Sequence, residues 1–139
     1  MTAENVQVVR RFFEALADAG RASTPAEDLM QRFAREDVVY VEDPRWPGSD
    51  TYRGDVAVGE CWSKYDELLG DAAAVSVVEV RDAGNEVVAI VQVSGRARES
   101  GVPYDHTWGY VCRTEDGRLS YFRAYLDFAE ALEAAGLSP

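Results

Sequence analysis

The spacing of apolar residues changes once along this 139-residue chain, and that change dictates its layout. Apart from a β-branched and aromatic run at Val38–Val41, up to about residue 69 they recur every three or four positions; from Val75 onward they recur every second position. Val6, Val9, Phe13 and Leu16, with Phe12 beside them, form the buried stripe of a helix over Ala3–Ala19 that stops at Gly20. Thr24-Pro25-Ala26-Glu27 then offers a hydroxyl cap, a proline at the first helical position and an acid at the third, so a second short helix carries Leu29, Met30 and Phe33. Val38–Val41 is a β-branched and aromatic run ended by Glu42-Asp43-Pro44, and residues 44–54 have loop composition. Asp55 caps a third helix that reaches Leu69 and stops at Gly70.

The second half reads as four strands: Val75–Val80, Glu86–Arg98, Tyr104–Arg113 and Leu119–Leu126. Their connections carry Gly84-Asn85, Gly101 with Pro103, and Asp116-Gly117, turn chemistry short enough to make neighbours antiparallel. Asp127 opens a last helix that ends at Gly136. Helices first and strands afterwards predict an α+β fold, a curved sheet with helices on one face and an apolar hollow between them.

Charge decides which partners are excluded. Acids outnumber bases 25 to 14, giving a net charge of −11, which rules against nucleic acid and anionic membrane surfaces, because both need clustered Lys and Arg. No apolar run approaches the roughly 18 residues of a membrane span. At 47 % apolar and 11 % aromatic the chain has the material for one packed core, so residues 1–139 are expected to form a single domain. Met1-Thr2-Ala3-Glu4-Asn5 lacks the basic-then-apolar order of a secretion signal, and two cysteines, Cys61 and Cys112, make no disulfide framework; a cytoplasmic protein is expected. With His106 as the single histidine and no glycine-rich phosphate cradle, neither a metal nor another cofactor is expected.

The order of elements and several strings resemble the nuclear transport factor 2-like superfamily, in its SnoaL-like polyketide cyclase and ketosteroid isomerase-like branch. The strings are Val8-Val9-Arg10-Arg11-Phe12-Phe13-Glu14-Ala15-Leu16, Val41-Glu42-Asp43-Pro44, Tyr52-Arg53-Gly54, Asp105-His106, Asp116-Gly117-Arg118-Leu119 and Arg123-Ala124-Tyr125-Leu126-Asp127. The resemblance implies a cone-shaped, mostly antiparallel sheet of the cystatin-like, α+β barrel type, with the N-terminal helices on its concave face. It also implies a homodimer joined through the outer sheet face and a small apolar molecule in the hollow. By resemblance to ketosteroid isomerase, Asp43 falls on the base that takes a proton next to a carbonyl, and Asp105 on a protonated hydrogen-bond donor. Phe12 stands where that family carries a tyrosine donor; Tyr40, Tyr52, Tyr65 and Tyr104 are the hydroxyls able to substitute. Trp46 and Trp62 would desolvate the Asp43 carboxylate and touch substrate. Asp127 lies where many members carry an acid at the pocket end of the last strand, although with Glu130 it also forms a helix cap.

Asp105 and His106 are neighbours on one strand, so they face opposite ways. With Asp105 inward, Thr107, Gly109 and Val111 share its face, and His106, Trp108, Tyr110 and Cys112 make an apolar outer face fit for a subunit interface. With the parity reversed, His106 is the acid–base group and the aromatic residues line the pocket. The first arrangement is the expected one. Three functions follow: a cofactor-free isomerase or cyclase moving a proton next to a carbonyl, a non-catalytic binding or assembly module, and an acid–base epoxide-opening enzyme.

Overall fold

A computed structural model describes residues 2–22, 25–70 and 73–138. Its elements are α1 (Thr2–Ala22), α2 (Ala26–Phe33), β1 (Ala34–Val41), β2 (Thr51–Arg53), α3 (Asp55–Leu69), β3 (Ala74–Asp82), β4 (Val87–Arg96), β5 (Pro103–Glu115), β6 (Arg118–Tyr125) and α4 (Phe128–Ala134). The change of apolar period falls where α3 gives way to β3, as read from the sequence. The six strands form one mixed, open sheet in the order β2-β1-β6-β5-β4-β3. β3 to β6 pair antiparallel with their chain neighbours, as the short turns require. β1 instead lies parallel to β6, from which it is separated in the chain by β2, α3 and the strands β3 to β5.

Local boundaries differ where a residue type has two uses. α1 runs through Gly20, since an interior glycine weakens a helix without ending it. Pro25 is the N-cap of α2 rather than its first helical residue, with extended backbone angles; Thr24 of the expected capping box lies outside the described residues. Gly54, at φ +92°, caps α3 in place of Asp55, and its amide bonds to Val38 O, tying the helix start to β1. β2 sits inside the segment that composition marks as loop.

Two apolar clusters sandwich the sheet. On the concave side Val9, Phe12, Phe13, Leu29, Met30, Val58 and Trp62 from the helices pack on Val38, Tyr40, Val91, Tyr110, Cys112 and Phe122. On the convex side α4 lays Ala131 and Leu132 over Val88, Ile90 and Val111. The expected hollow on the concave side is filled by rings. Trp62 lies with its ring centre 5.5–6.0 Å from those of Phe12, Tyr40, Tyr65, Tyr110 and Phe122, which is direct aromatic contact. Surface hollows lie elsewhere, one of about 340 Å³ at Arg10, Glu14 and Val77, and one of about 680 Å³ at Gln31, Arg35 and Arg118. Among the described residues no helix is long and apolar enough to cross a membrane.

Candidate functional site

Period-two alternation along β1 carries Val38, Tyr40 and Glu42 to the concave side in succession, and all three are buried. Glu42, not Asp43, is therefore the acid that β1 directs into the molecule. The Tyr65 hydroxyl, from α3, donates to Glu42 Oε2 in a short hydrogen bond. The backbone amide of Asp50 donates to Oε1 at 3.1 Å, and the Cys61 thiol lies 3.8 Å from Oε2. Tyr40 Oη stands 3.1 Å from Tyr65 Oη. Because the Tyr65 proton goes to the carboxylate, Tyr40 is the donor of that pair, giving a hydroxyl chain Tyr40 to Tyr65 to Glu42. Burial pushes the Tyr65 hydroxyl far above the ordinary phenol range, with Tyr40 adding to it; burial raises Tyr40 likewise, and Tyr52 to about 12. All three phenols therefore keep their protons at neutral pH. Among the described residues no Lys or Arg pairs with Glu42.

Asp43 is buried too, but its carboxylate is committed to other partners. Oδ1 accepts from the Arg45 backbone amide at 2.9 Å and from Arg45 Nε at 3.1 Å, while Oδ2 accepts from Arg45 Nη2 and the Leu126 amide, each at 2.8 Å. Beyond Val41 the β1 backbone leaves β6, and this side chain takes over as acceptor for the amide that the strand no longer satisfies. The Arg45 guanidinium holds the Asp43 carboxyl well below the usual carboxylate range, with the Leu126 amide acting the same way against the cost of burial. An anion so stabilised has little proton affinity, so the inward-facing base expected at Asp43 is not what this geometry provides.

The parity of β5 is the reverse of the expected one. Tyr110 and Cys112 belong to the concave core, so His106 and Trp108 share their side, while Asp105 lies exposed on the convex side, hydrogen-bonded by Gln92 Nε2 at 2.7 Å. The aromatic set expected to form a subunit interface is thus internal, and α4 covers the apolar part of the outer face. His106 is exposed at the rim, its ring 5.2 Å from Trp108 and its Nε2 2.5 Å from Leu126 O. A carbonyl only accepts, so Nε2 carries the proton. The Leu126 backbone thereby links Asp43, through its N–H, to His106, through its C=O.

Trp46 reaches from the loop after β1 across this end of the molecule, its ring 5.8 Å from Tyr65 and 5.6 Å from Trp108. Trp62 lies deeper, with its buried Nε1–H lacking an acceptor. Phe12 is fully buried in the aromatic core, packed against Phe13, Phe33, Trp62 and Phe122. Asp127 serves as the α4 cap, accepting from the Ala129 amide at 2.9 Å, and is exposed rather than turned to a pocket. Glu130, its expected capping partner, bonds Arg45 instead at 2.8 Å. The structure thus gathers Tyr40, Trp46 and Trp62 around an acid that sequence reasoning passed over, and leaves Asp105, Asp127 and Phe12 apart from it. The alternation Val38-Tyr40-Glu42 was the available signal. Among the described residues no three His, Cys, Asp or Glu side chains stand close enough to share a metal ion.

No protein-family model matches the sequence, and no curated protein matches it. Solved structures do match in shape. A protein of Jannaschia sp. CCS1, provisionally assigned as a SnoaL-like polyketide cyclase, superposes with a TM-score of 0.74 at 18% identity, over 100% of this chain and 96% of that one. An NTF2-like protein of Burkholderia xenovorans LB400 gives 0.69 at 23% identity, over 97% and 98%. A hypothetical protein of Catenulispora acidiphila DSM 44928 with a ketosteroid isomerase-like fold, solved in complex with trimethylamine, gives 0.68 at 18% identity, over 91% and 92%. At such identities the likeness establishes architecture and not activity. The chain has the NTF2-like, ketosteroid isomerase-like fold.

Proposed function

We propose that this chain is a cofactor-independent acid–base enzyme moving a proton next to a carbonyl on a small apolar, polyketide- or steroid-like molecule, with Glu42 as base and Tyr65 as donor. The observation that carries this reading is the Glu42 carboxylate, 5 % exposed on the helix-facing side and bonded to a phenol and a backbone amide. A buried carboxylate answered by no cation lowers stability, and such an arrangement is usual where chemistry needs a proton acceptor. In the proposed step the substrate C–H bond breaks, its proton goes to Glu42, and its electron pair becomes the new C=C bond of an enolate. Once Glu42 is neutral, the Tyr65 hydroxyl is released to donate to the enolate oxygen, backed by Tyr40. Glu42 then returns the proton to a second carbon, completing an isomerisation or preparing a ring closure. The likeness in fold to a provisional cyclase and to ketosteroid isomerase-like proteins supports the same class of reaction.

Glu42→Gln keeps the shape and removes the base. Deuterium exchange next to the carbonyl of a panel of cyclic ketones, followed by proton NMR in D2O, is expected to fall by about 10²–10⁴-fold in the variant. Undiminished exchange by E42Q overturns the proposal. The second reading, a non-catalytic binding or assembly module, is favoured by one observation, the ring-filled concave face. Wild-type protein that accelerates exchange of none of these ketones above buffer decides for the module.

A further inference from the structure

We infer that residues 44–50 form a hinged cover over the Glu42 site, with Trp46 as its plug and Asp43, Arg45 and Glu130 as its latch. The loop is a closed unit. Trp46 N bonds Asp43 O, Ser49 N bonds Trp46 O, Ser49 Oγ bonds Pro44 O, and Asp50 exchanges two bonds with Glu42 at the loop's base. None of these holds the loop to the helices or to the central strands. Among the described residues that task falls to three attachments. Arg45 Nη2 reaches Glu130 Oε1 on α4 at 2.8 Å, Asp43 Oδ2 takes the Leu126 amide, and the Trp46 ring rests between Tyr65 and Trp108.

The attachments differ in kind. Asp43 is 3 % exposed and anchors the root of the loop, whereas the Arg45 side chain is 51 % exposed and its bond to Glu130 opens to water. Exposed ion pairs are weak, so the outer attachment breaks while the root holds, and the loop turns about Asp43. Turning it lifts the indole off Tyr65 and uncovers the hydroxyl that binds Glu42, with Cys61 3.5 Å from that hydroxyl. Without such a movement the closed rings leave a substrate no path to the carboxylate. Arg45 and Asp43 are then positioning residues, acting on the site through Trp46. That the cover admits a substrate rests on the acid–base reading; that it moves does not.

The test reads access at Cys61 against Cys112, which is also buried but sits on β5 within the core. Both are labelled with iodoacetamide at fixed pH in the full chain, and the two sites are quantified separately by peptide mass spectrometry. Arg45→Met, which keeps the stem and removes the charge, is expected to raise Cys61 labelling about two- to fivefold while Cys112 is unchanged. Glu130→Gln, which leaves the Asp43–Arg45 pair intact, is expected to act in the same direction. Equal Cys61 rates in wild type and both variants overturn the inference, and so does a parallel rise at both cysteines, which reports global loosening. No substrate enters this measurement, so a silent E42Q leaves it standing and a failed latch leaves the Glu42 proposal standing.

Discussion

Glu42 and Asp43 are adjacent in the chain, both buried, and in opposite electrostatic company. Glu42 has a phenol, a thiol and an amide around it; Asp43 has a guanidinium bound through both carboxylate oxygens and the Leu126 amide. The difference follows from which way each points at the end of β1; it makes the Asp43–Arg45 pair structural and leaves Glu42 as the acid that the proposed chemistry uses. Asp43→Asn is expected to cost about 1–3 kcal/mol at neutral pH, because the charge-assisted bonds to Arg45 are lost inside a buried site. The pH dependence has a definite sign. The folded carboxyl is held below its ordinary value, so its stabilisation is complete above the unfolded value of about 4 and fades as pH falls from there towards the folded value. Urea unfolding of wild type and D43N at pH 7 and at pH 3 should show a gap that narrows on acidification; a constant gap contradicts the assignment.

β5 and α4 explain why the site faces as it does. β5 has apolar residues on both sides in its middle, Tyr110 and Cys112 towards the helices and Val111 towards α4. A strand covered on both faces carries no simple alternation by which its parity can be read, and the choice between Asp105 and His106 stays open in the sequence. α4 resolves it by docking on Gly109, where a Cβ would stand 2.6 Å from Ala131 Cβ and 2.9 Å from Phe128 Cα. The glycine is there for close approach, on the same side of β5 as Asp105. Gly109→Ala is therefore expected to force α4 outward and cost about 1–3 kcal/mol. Hydrogen exchange should show early loss of protection in α4, with β6 amides next to it affected less. Unchanged exchange throughout α4 would mean that the helix is not seated as described.

The molecule as a whole is stabilised by an aromatic core that spans α1, α2, α3, β1 and β6. Phe12 alone lies with its ring centre within 6.0 Å of those of Phe13, Phe33, Trp62 and Phe122. Phe12→Ala is expected to cost about 3–5 kcal/mol, read as a lower urea midpoint, because the surrounding rings belong to different elements and collapse only partly into the space. A loss below 1 kcal/mol would mean that the core is far looser than these contacts describe. The same rings occupy the place of the expected hollow, so the proposed access to Glu42 runs past the Trp46 loop.

Local spacing was enough for the α+β order, the change of period at β3, the antiparallel meander from β3 to β6 and the Asp127 cap, since each depends on residues a few positions apart. The strings around Phe12, Glu42 and Arg123 likewise pointed to the NTF2-like fold. What spacing left open depends on residues far apart in the chain. Arg45 meets Asp43 locally, but the Leu126 amide and Glu130, which fix that pair to the body, come from more than eighty residues away. Tyr65 reaches Glu42 only because α3 packs across β1, and the parity of β5, with His106 at the helix-side rim, is fixed by α4 on the other side. A carboxylate becomes an anchor or a proton acceptor according to the company that folding brings it, and that company is set by packing between elements rather than by the order of residues within one.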